Sequence, residues 1–405
     1  MREGSASPLP YIGLFMDLAY EHNRQKLLGI HQYEREHGPW RIHLEVTGTF
    51  DFPFQQFLEQ GGDGIILSRY IPPEKRSLLA QYPLPIVQIG RLEEDPFLDQ
   101  LDNVQCDHHS IGKMAADHFL ERGFEHFAFV SDTNGWLCSP QRQSAYEERL
   151  REEGFSCHNY RNETTSPSLP GLGEKSLLQW LKNLPKPVGL FVSYDLRARQ
   201  ILYICDESGI HVPQEIAVLS VDNDELICSL TRPTLTSIDP HCERGGYLAA
   251  EQLHRRLRQK KAAPQTILYS PLGVIPRQST HILLHPDPSL RLALEFIWNH
   301  VGNVSVAATA KHCRISIRKL EILFQSVLKK TVLEEIRETR FKEVLRLLQQ
   351  PHLTLQQIAE RCGLSSASNL NQQFRKKFGI SMHQFRQSTL SYRYLPKKAA
   401  SGRKR

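Results

Sequence analysis

Apolar and polar positions fall into two regimes along this chain. From residue 11 to about 257, short unbroken apolar runs alternate with longer amphipathic stretches. Residues 12–16 read as a buried strand. Residues 22–37 read as a helix with Leu27, Leu28, Ile30 and Tyr33 on one side. Strand-like runs follow at 42–46, 64–67 and 84–90, with a short helix near 54–60. The pattern restarts with a helix at 110–122 ended by Gly123, a strand at 127–130, and a helix at 142–152 leading to Gly154. Strands at 188–192 and 216–221 and helices at 195–209 and 245–257 close it. Parallel strands need a crossover between them and are covered on both faces, so this alternation predicts an α/β fold with doubly wound parallel sheets. Two such halves predict two lobes and a cleft, with ligands beyond the carboxyl ends of the strands.

The period changes near the end, where residues 304–386 repeat themselves. One half carries Val306-Ala307-Ala308-Thr309-Ala310, then Cys313-Arg314-Ile315-Ser316, then Leu320, Leu323 and Phe324. The other carries Leu355, Ile358-Ala359, Cys362-Gly363-Leu364-Ser365, then Leu370, Phe374 and Phe378. Each is a short helix, a tight turn and a second helix opened by serine, the pattern of a helix-turn-helix. Gly363 stands where the chain leaves a helix and tolerates a left-handed conformation. Thr354 with Gln357, and Thr331 with Glu334, are capping-box pairs. Leu333, Ile336, Arg340, Val344 and Leu347 predict one long helix joining the two units. Leu320, Leu323, Phe324 and Phe374 are expected in the core. The exposed positions of the two second helices are the DNA-facing candidates: Ile317, Arg318, Lys319 and Glu321 in the first, Ser366, Ala367, Asn369, Gln372 and Gln373 in the second. Arg375 and Lys376 stand nearer the phosphate backbone.

Charge sharpens the division. From residue 289 onward there are 22 Lys+Arg against 7 Glu and no Asp, a net +15. The whole chain is +6, so residues 1–288 carry −9. A basic module on an acidic body is the electrostatic footprint of nucleic-acid binding. At 405 residues the chain predicts two or three domains. No run of about twenty apolar residues predicts a membrane span, and residues 1–10 have no apolar signal core. Eight scattered cysteines without a C-x-x-C pair predict a reduced, cytoplasmic protein. The histidines, His108-His109 included, lack metal-ligand spacing, so no metal or other cofactor is implied. No G-x-S-x-G elbow, P-loop or dinucleotide fingerprint is present, so no enzyme is expected, although Asp17, Asp195 and Asp222 could be drawn as a carboxylate set.

Specific runs carry two resemblances. Ile358-Ala359, Cys362-Gly363-Leu364, Phe374-Arg375-Lys376-Lys377-Phe378-Gly379 and Phe385-Arg386 resemble the AraC-type DNA-binding domain. Leu364 and Leu370 stand where that family usually has phenylalanine, Met382 where it has proline and Lys330 where it has glycine. Asn103-Val104-Gln105-Cys106-Asp107, Arg142-Gln143-Ser144-Ala145-Tyr146, Asp195, Ser220-Val221-Asp222-Asn223 and residues 233–238 resemble the sugar-sensing core of LacI-type repressors, itself akin to periplasmic binding proteins. That family's N-terminal DNA-reading headpiece does not precede the first strand, so DNA reading is expected from the other end. Together the halves resemble the xylose operon regulators, on Asn23-Arg24-Gln25, residues 195–199 and Val221-Asp222-Asn223-Asp224-Glu225.

This resemblance implies a two-lobed sensor at 11–280 after an extension at 1–10. A proline-stiffened connector at 281–289, a tandem reader at 290–388 and a basic tail at 389–405 complete the order. It implies that Arg142 and Asp222 reach the cleft from the second lobe and bind sugar hydroxyls. Asp17 and Tyr20 are candidates from the first lobe, and Trp136 is either a stacking platform or a packing residue. Asp195 either binds ligand or caps its helix, and Tyr194 and Arg91 are further cleft candidates. The implied partners are double-stranded operator DNA, a sugar effector with D-xylose favoured, a second copy through the sensor lobes, and RNA polymerase if the protein activates. A sugar-binding protein without a regulatory role, or a regulator answering another monosaccharide, are the alternatives.

Overall fold

The computed structural model describes residues 9–45, 53–68, 76, 79, 81–82, 84–90, 97–131, 138–160, 172–259, 263–285, 287–348, 353–364 and 366–390. The chain divides into two units, Met1–Arg291 and Leu292–Arg405.

The first unit holds two sheets. In one, strands β1 (Tyr11–Met16), β2 (Arg41–Glu45), β3 (Gly64–Ser68), β4 (Ile86–Ile89), β5 (Asp102–Cys106) and β11 (Thr266–Tyr269) run in the order β11-β5-β4-β3-β1-β2, with every pairing parallel. In the other, β6 (His126–Val130), β7 (Cys157–Tyr160), β8 (Val188–Val192), β9 (Ile216–Val221), β10 (Thr236–Asp239) and β12 (Gly273–Ile275) run β12-β10-β9-β8-β6-β7. Only β12 is antiparallel to its neighbour. All residues of β1, β3, β8 and β9 are buried, as central parallel strands under two helical layers must be.

The flanking helices are α1 (Glu21–His37), α2 (Pro53–Glu59), α3 (His108–Leu120), α4 (Cys138–Glu152), α5 (Leu172–Asn183), α6 (Asp195–Glu207), α7 (Glu225–Leu230) and α8 (Cys242–Arg258). β5, β7, β10, β11, β12, α5 and α7 have no counterpart among the elements read from the sequence.

The chain crosses between the lobes three times, after β5, after β10 and after β11. Hydrogen bonds strap the crossings together. The Asp107 N–H donates to Tyr269 O at 2.9 Å, the Leu272 N–H to Asp239 O at 2.9 Å, and Cys106 Sγ to Pro240 O at 3.4 Å. A joint of three linked strands lets the lobes move about one place while keeping the cleft walls in register.

α1 corrects one expectation. Its buried stripe is Asn23, Lys26, Gly29, Ile30 and Tyr33, whereas Leu27 and Leu28 are half-buried. α1 also packs very close to α8: a Cβ on Gly246 would overlap the main-chain carbonyl of Lys26, so only glycine allows the approach.

From α9 (Pro288–Asn299), which starts before the unit boundary, the elements among the described residues are all helices: α10 (Val306–His312), α11 (Ile317–Leu328), α12 (Val332–Leu348), α13 (Leu355–Arg361), α14 (Ala367–Phe378) and α15 (Met382–Leu390). α10–α11 and α13–α14 are the two helix-turn-helix pairs, joined by α12 as expected. Thr354 and Gln357 form a reciprocal capping box, and Thr331 and Glu334 bond each other's main chain at 2.8 and 3.2 Å. Ser316 and Ser366 cap α11 and α14. The first turn places Arg314 at φ 54°, where the second uses Gly363 at φ 72°. Leu320, Phe324 and Phe374 are fully buried, but Leu323 is only half-buried. Met382 donates its main-chain N–H to Asn371 Oδ1 at 2.8 Å, a bond proline could not make.

The connector also differs from expectation. α9 begins within it at Pro288. Upstream, Leu284 N–H donates to Arg122 O at 2.7 Å and His285 Nε2 meets Glu121 O at 2.6 Å, so the segment is tied to the end of α3. Pro286 and residues 391–405 of the basic tail lie outside the described residues.

Candidate functional site

The carboxyl ends of β1, β3 and β4 from one lobe, and of β6, β8 and β9 from the other, face the cleft. Lobe one contributes α1. His22 stacks on Tyr20 at 5.4 Å between ring centres, and its Nδ1 stands 3.9 Å from Asp222 Oδ2 across the cleft. One turn on, Lys26 Nζ donates to Ser68 Oγ at 2.9 Å and Asn23 Oδ1 at 3.2 Å. Ser68 Oγ donates in turn to Asn23 Oδ1 at 2.7 Å, so the lysine sits in a closed polar triad at the end of β3.

Lobe two contributes α4, α3 and the strand ends. Arg142 is buried on α4, donates to the main-chain carbonyl of Ser193 and points Nε at His108 Nδ1, 3.4 Å away. Asp222 follows β9 with φ 111°, and Asn223 with φ 50°. That unfavourable backbone turns Asp222 out of the strand direction and towards His22.

Burial pulls His22 and Lys26 below their ordinary ranges and His108 well below its own. Both imidazoles are therefore neutral near pH 7; His108 Nδ1 accepts from Arg142 Nε, and His22 faces Asp222. Lys26 and Arg142 each add their own charge to the depression at both rings, so the two cations bracket the two histidines. The result is a polar pocket with donors, acceptors and one half-buried carboxylate, which is what recognition of several hydroxyls requires.

The sequence candidates are distributed unevenly around this centre. Arg142 and Asp222 sit in it. Tyr20 precedes α1 and reaches it through His22. Asp17 Oδ1 accepts the Ala19 N–H at 3.0 Å in the turn after β1, while its carbonyl accepts from Asn23 Nδ2 at 2.9 Å. Tyr194 occupies the N-cap position of α6 without a side-chain capping bond.

Asp195 does not cap its helix. It accepts from Ser220 Oγ, from Ser237 Oγ at 2.7 Å, from the Asp224 N–H at 2.8 Å and from Cys228 Sγ at 3.4 Å. Burial, with Asp222 adding to it, pushes its carboxyl up to about 7. Its oxygens thus hold the ends of β9 and β10 together beneath Asp222. Arg91 and Trp136 lie outside the described residues. His22, Lys26 and His108 were not foreseen. The signal that would have found the first two is helical spacing through positions 23, 26, 30 and 33, with polar residues on the buried stripe.

In the second unit, the second helix of each pair offers an exposed face. Ile317, Arg318 and Lys319 are exposed at the start of α11. Glu321 is half-buried and its Oε2 accepts the Val332 N–H at 3.3 Å, which ties α11 to α12. On α14, Asn369, Gln372, Gln373, Arg375 and Lys376 are exposed, and Ser366 and Ala367 are half-buried. Gln373 Nε2 donates to Asn369 Oδ1 at 2.7 Å, so these amides are pre-aligned on one face.

Among the described residues, no group of three or more His, Cys, Asp or Glu is placed to hold a metal. No helix among them is long and apolar enough to cross a membrane.

Residues 116–280 match the family described as periplasmic binding protein-like domain, and residues 309–388 the family described as helix-turn-helix domain. The xylose operon regulatory protein of Haemophilus influenzae is 28% identical over 382 residues, covering 93% of this chain and 97% of the relative. That of Escherichia coli K12 is 27% identical, covering 93% and 96%. A solved structure described as the xylose-binding transcription activator xylR aligns with TM-score 0.60 and 26% identity, over 93% of this chain and 97% of that one.

Proposed function

Because this chain belongs with the xylose operon regulators, sharing their sequence and joining a periplasmic-binding-protein-like domain to an AraC-type helix-turn-helix domain, we propose that it senses a monosaccharide and switches the transcription of pentose genes. It is a sugar-responsive, sequence-specific DNA-binding transcription regulator, not an enzyme. The observation that carries the sugar-sensing half is the convergence of His22 and Lys26 from one lobe with Arg142 and Asp222 from the other. A ligand bonded to both walls favours the closed arrangement, and it shifts the equilibrium by its differential affinity for the two states.

The effector is D-xylose on the strength of what its relatives bind by name. The regulator acts in the cytoplasm on operator DNA, and as an activator it contacts RNA polymerase. Calorimetry of the full-length protein against D-xylose, L-arabinose, D-ribose, D-glucose and D-galactose tests the effector; tighter binding of any other sugar than of D-xylose would reject xylose. Arg318→Ala tests the reader. Arginine on guanine contributes about 1–3 kcal/mol, so operator affinity should fall by roughly tenfold while sugar affinity stays unchanged. Equal loss of both would mean misfolding.

The protein acts as a homodimer through its sensor lobes. Tyr203 on α6 and Leu226 and Leu230 on α7 are 65%, 66% and 77% exposed, unusual for large apolar side chains lying close together. Tyr203 and Leu230 line a groove of about 380 Å³ that also bears Arg199, Arg232 and Asp206. Opposite charges on one patch suit a two-fold contact with itself. Leu230→Asp should therefore shift sedimentation towards the monomer and leave sugar affinity unchanged; an unaltered oligomeric state would exclude this face.

A further inference from the structure

Lys26 is nine-tenths buried and forms no ion pair among the described residues, although Asp222 attracts it from the opposite wall. Its Nζ donates to Ser68 Oγ and Asn23 Oδ1, both neutral, and no carboxylate among the described residues pairs with it. An ammonium has three N–H donors, so one is left. Burying a cation without an anion is costly, and a lysine that merely packs its stem brings its head to water or to an acid. Here the opposite is built. The close approach of α1 to α8 at Gly246 fixes the main chain of Lys26. Asn23, held by Asp17 O at 2.9 Å, and Ser68 then fix its head. Across the cleft Arg142 is buried as well, and its partners are a carbonyl and an imidazole. Each lobe therefore brings one rigidly held cation to the pocket, with hydrogen-bonding capacity that the described residues do not fill.

We infer that Lys26 is a specificity-determining contact, donating its remaining N–H to one particular hydroxyl of the bound monosaccharide. This rests on the sugar-sensing reading above and adds to it a residue with a defined partner.

The test uses full-length protein, unaltered and Lys26→Met, which keeps the unbranched stem and removes the charge. Each is titrated calorimetrically with the tightest-binding sugar of the five-sugar panel and with each of its mono-deoxy analogues. The unaltered protein should reject one analogue by about 30-fold or more, because a site built to bond a hydroxyl is left with an unpaired charge when it is absent. Lys26→Met should bind the parent sugar about 30-fold more weakly and should no longer tell it from that analogue. A similar thermal midpoint for the two proteins confirms that the variant folds. Lys26→Met weakening all analogues equally would overturn the inference, since that is the mark of a structural role, and so would an undiminished affinity. If the unaltered protein bound operator DNA but none of the sugars, the sensing reading would fall and this inference with it.

Discussion

Arg142→Ala should weaken effector binding by about 100-fold or more and leave operator occupancy indifferent to sugar. Arg142 is a buried cation on the second wall of the cleft, held by Ser193 O with Nε aimed at His108. Each charge-assisted bond it gives a sugar hydroxyl is worth about 1.5–3 kcal/mol, so losing two accounts for the expected effect. The substitution also leaves the Ser193 carbonyl unpaired, a cost of about 1–3 kcal/mol in folding, so a thermal midpoint belongs beside the titration. Arg142→Lys separates charge from geometry: it keeps the cation but not the planar fork, and should recover only part of the affinity. DNA binding without sugar should be retained, because the recognition helices belong to the other unit. An unchanged sugar response in Arg142→Ala would remove Arg142 from the site.

The strands of the sensor were readable because central parallel strands are apolar on both faces, and β1, β8 and β9 are continuous apolar runs for that reason. β11 and β12 escaped because they are short, and β11 lies at a sheet edge with Thr266 and Leu268 exposed. They matter, since they carry the third crossing between the lobes. The position of the cleft followed from topology, and Arg142 and Asp222 from a family resemblance. Lys26 and His22 stayed hidden because a polar residue on an amphipathic helix reads as its solvated side. α1 departs from that rule, since Asn23 and Lys26 on its inner stripe meet the cleft before Ile30 and Tyr33 pack into the core. Asp195 was ambiguous for another reason. A carboxylate at a strand-to-helix turn satisfies a cap pattern and a ligand pattern equally, and only the positions of Ser220, Ser237 and Asp224, distant in sequence, show where its oxygens point.

The reader domain depends most sharply on one glycine. Gly363→Ala should abolish tight operator binding while sugar affinity stays intact. Gly363 ends α13 at φ 72°, a left-handed conformation that costs a residue with a Cβ about 1–2 kcal/mol. A Cβ there would also overlap the carbonyl oxygen of Gly302, in the loop ahead of α10, so the second turn packs main chain to main chain against the start of the first helix-turn-helix. That contact cannot yield by rotating a side chain. The backbone must shift instead, and overpacking of this kind costs about 1–3 kcal/mol beyond the conformational term. Moving this turn displaces α14, whose Asn369, Gln372 and Gln373 form the second reading face. Gly379 separates the two contributions. It ends α14 at φ 77° but has nothing within 4 Å of its would-be Cβ, so Gly379→Ala carries the conformational cost alone. Operator titrations and thermal scans of the two variants should therefore differ, with Gly363→Ala clearly the worse. Equal behaviour would mean that the close approach of Gly302 and Gly363 does not hold the two reading units together.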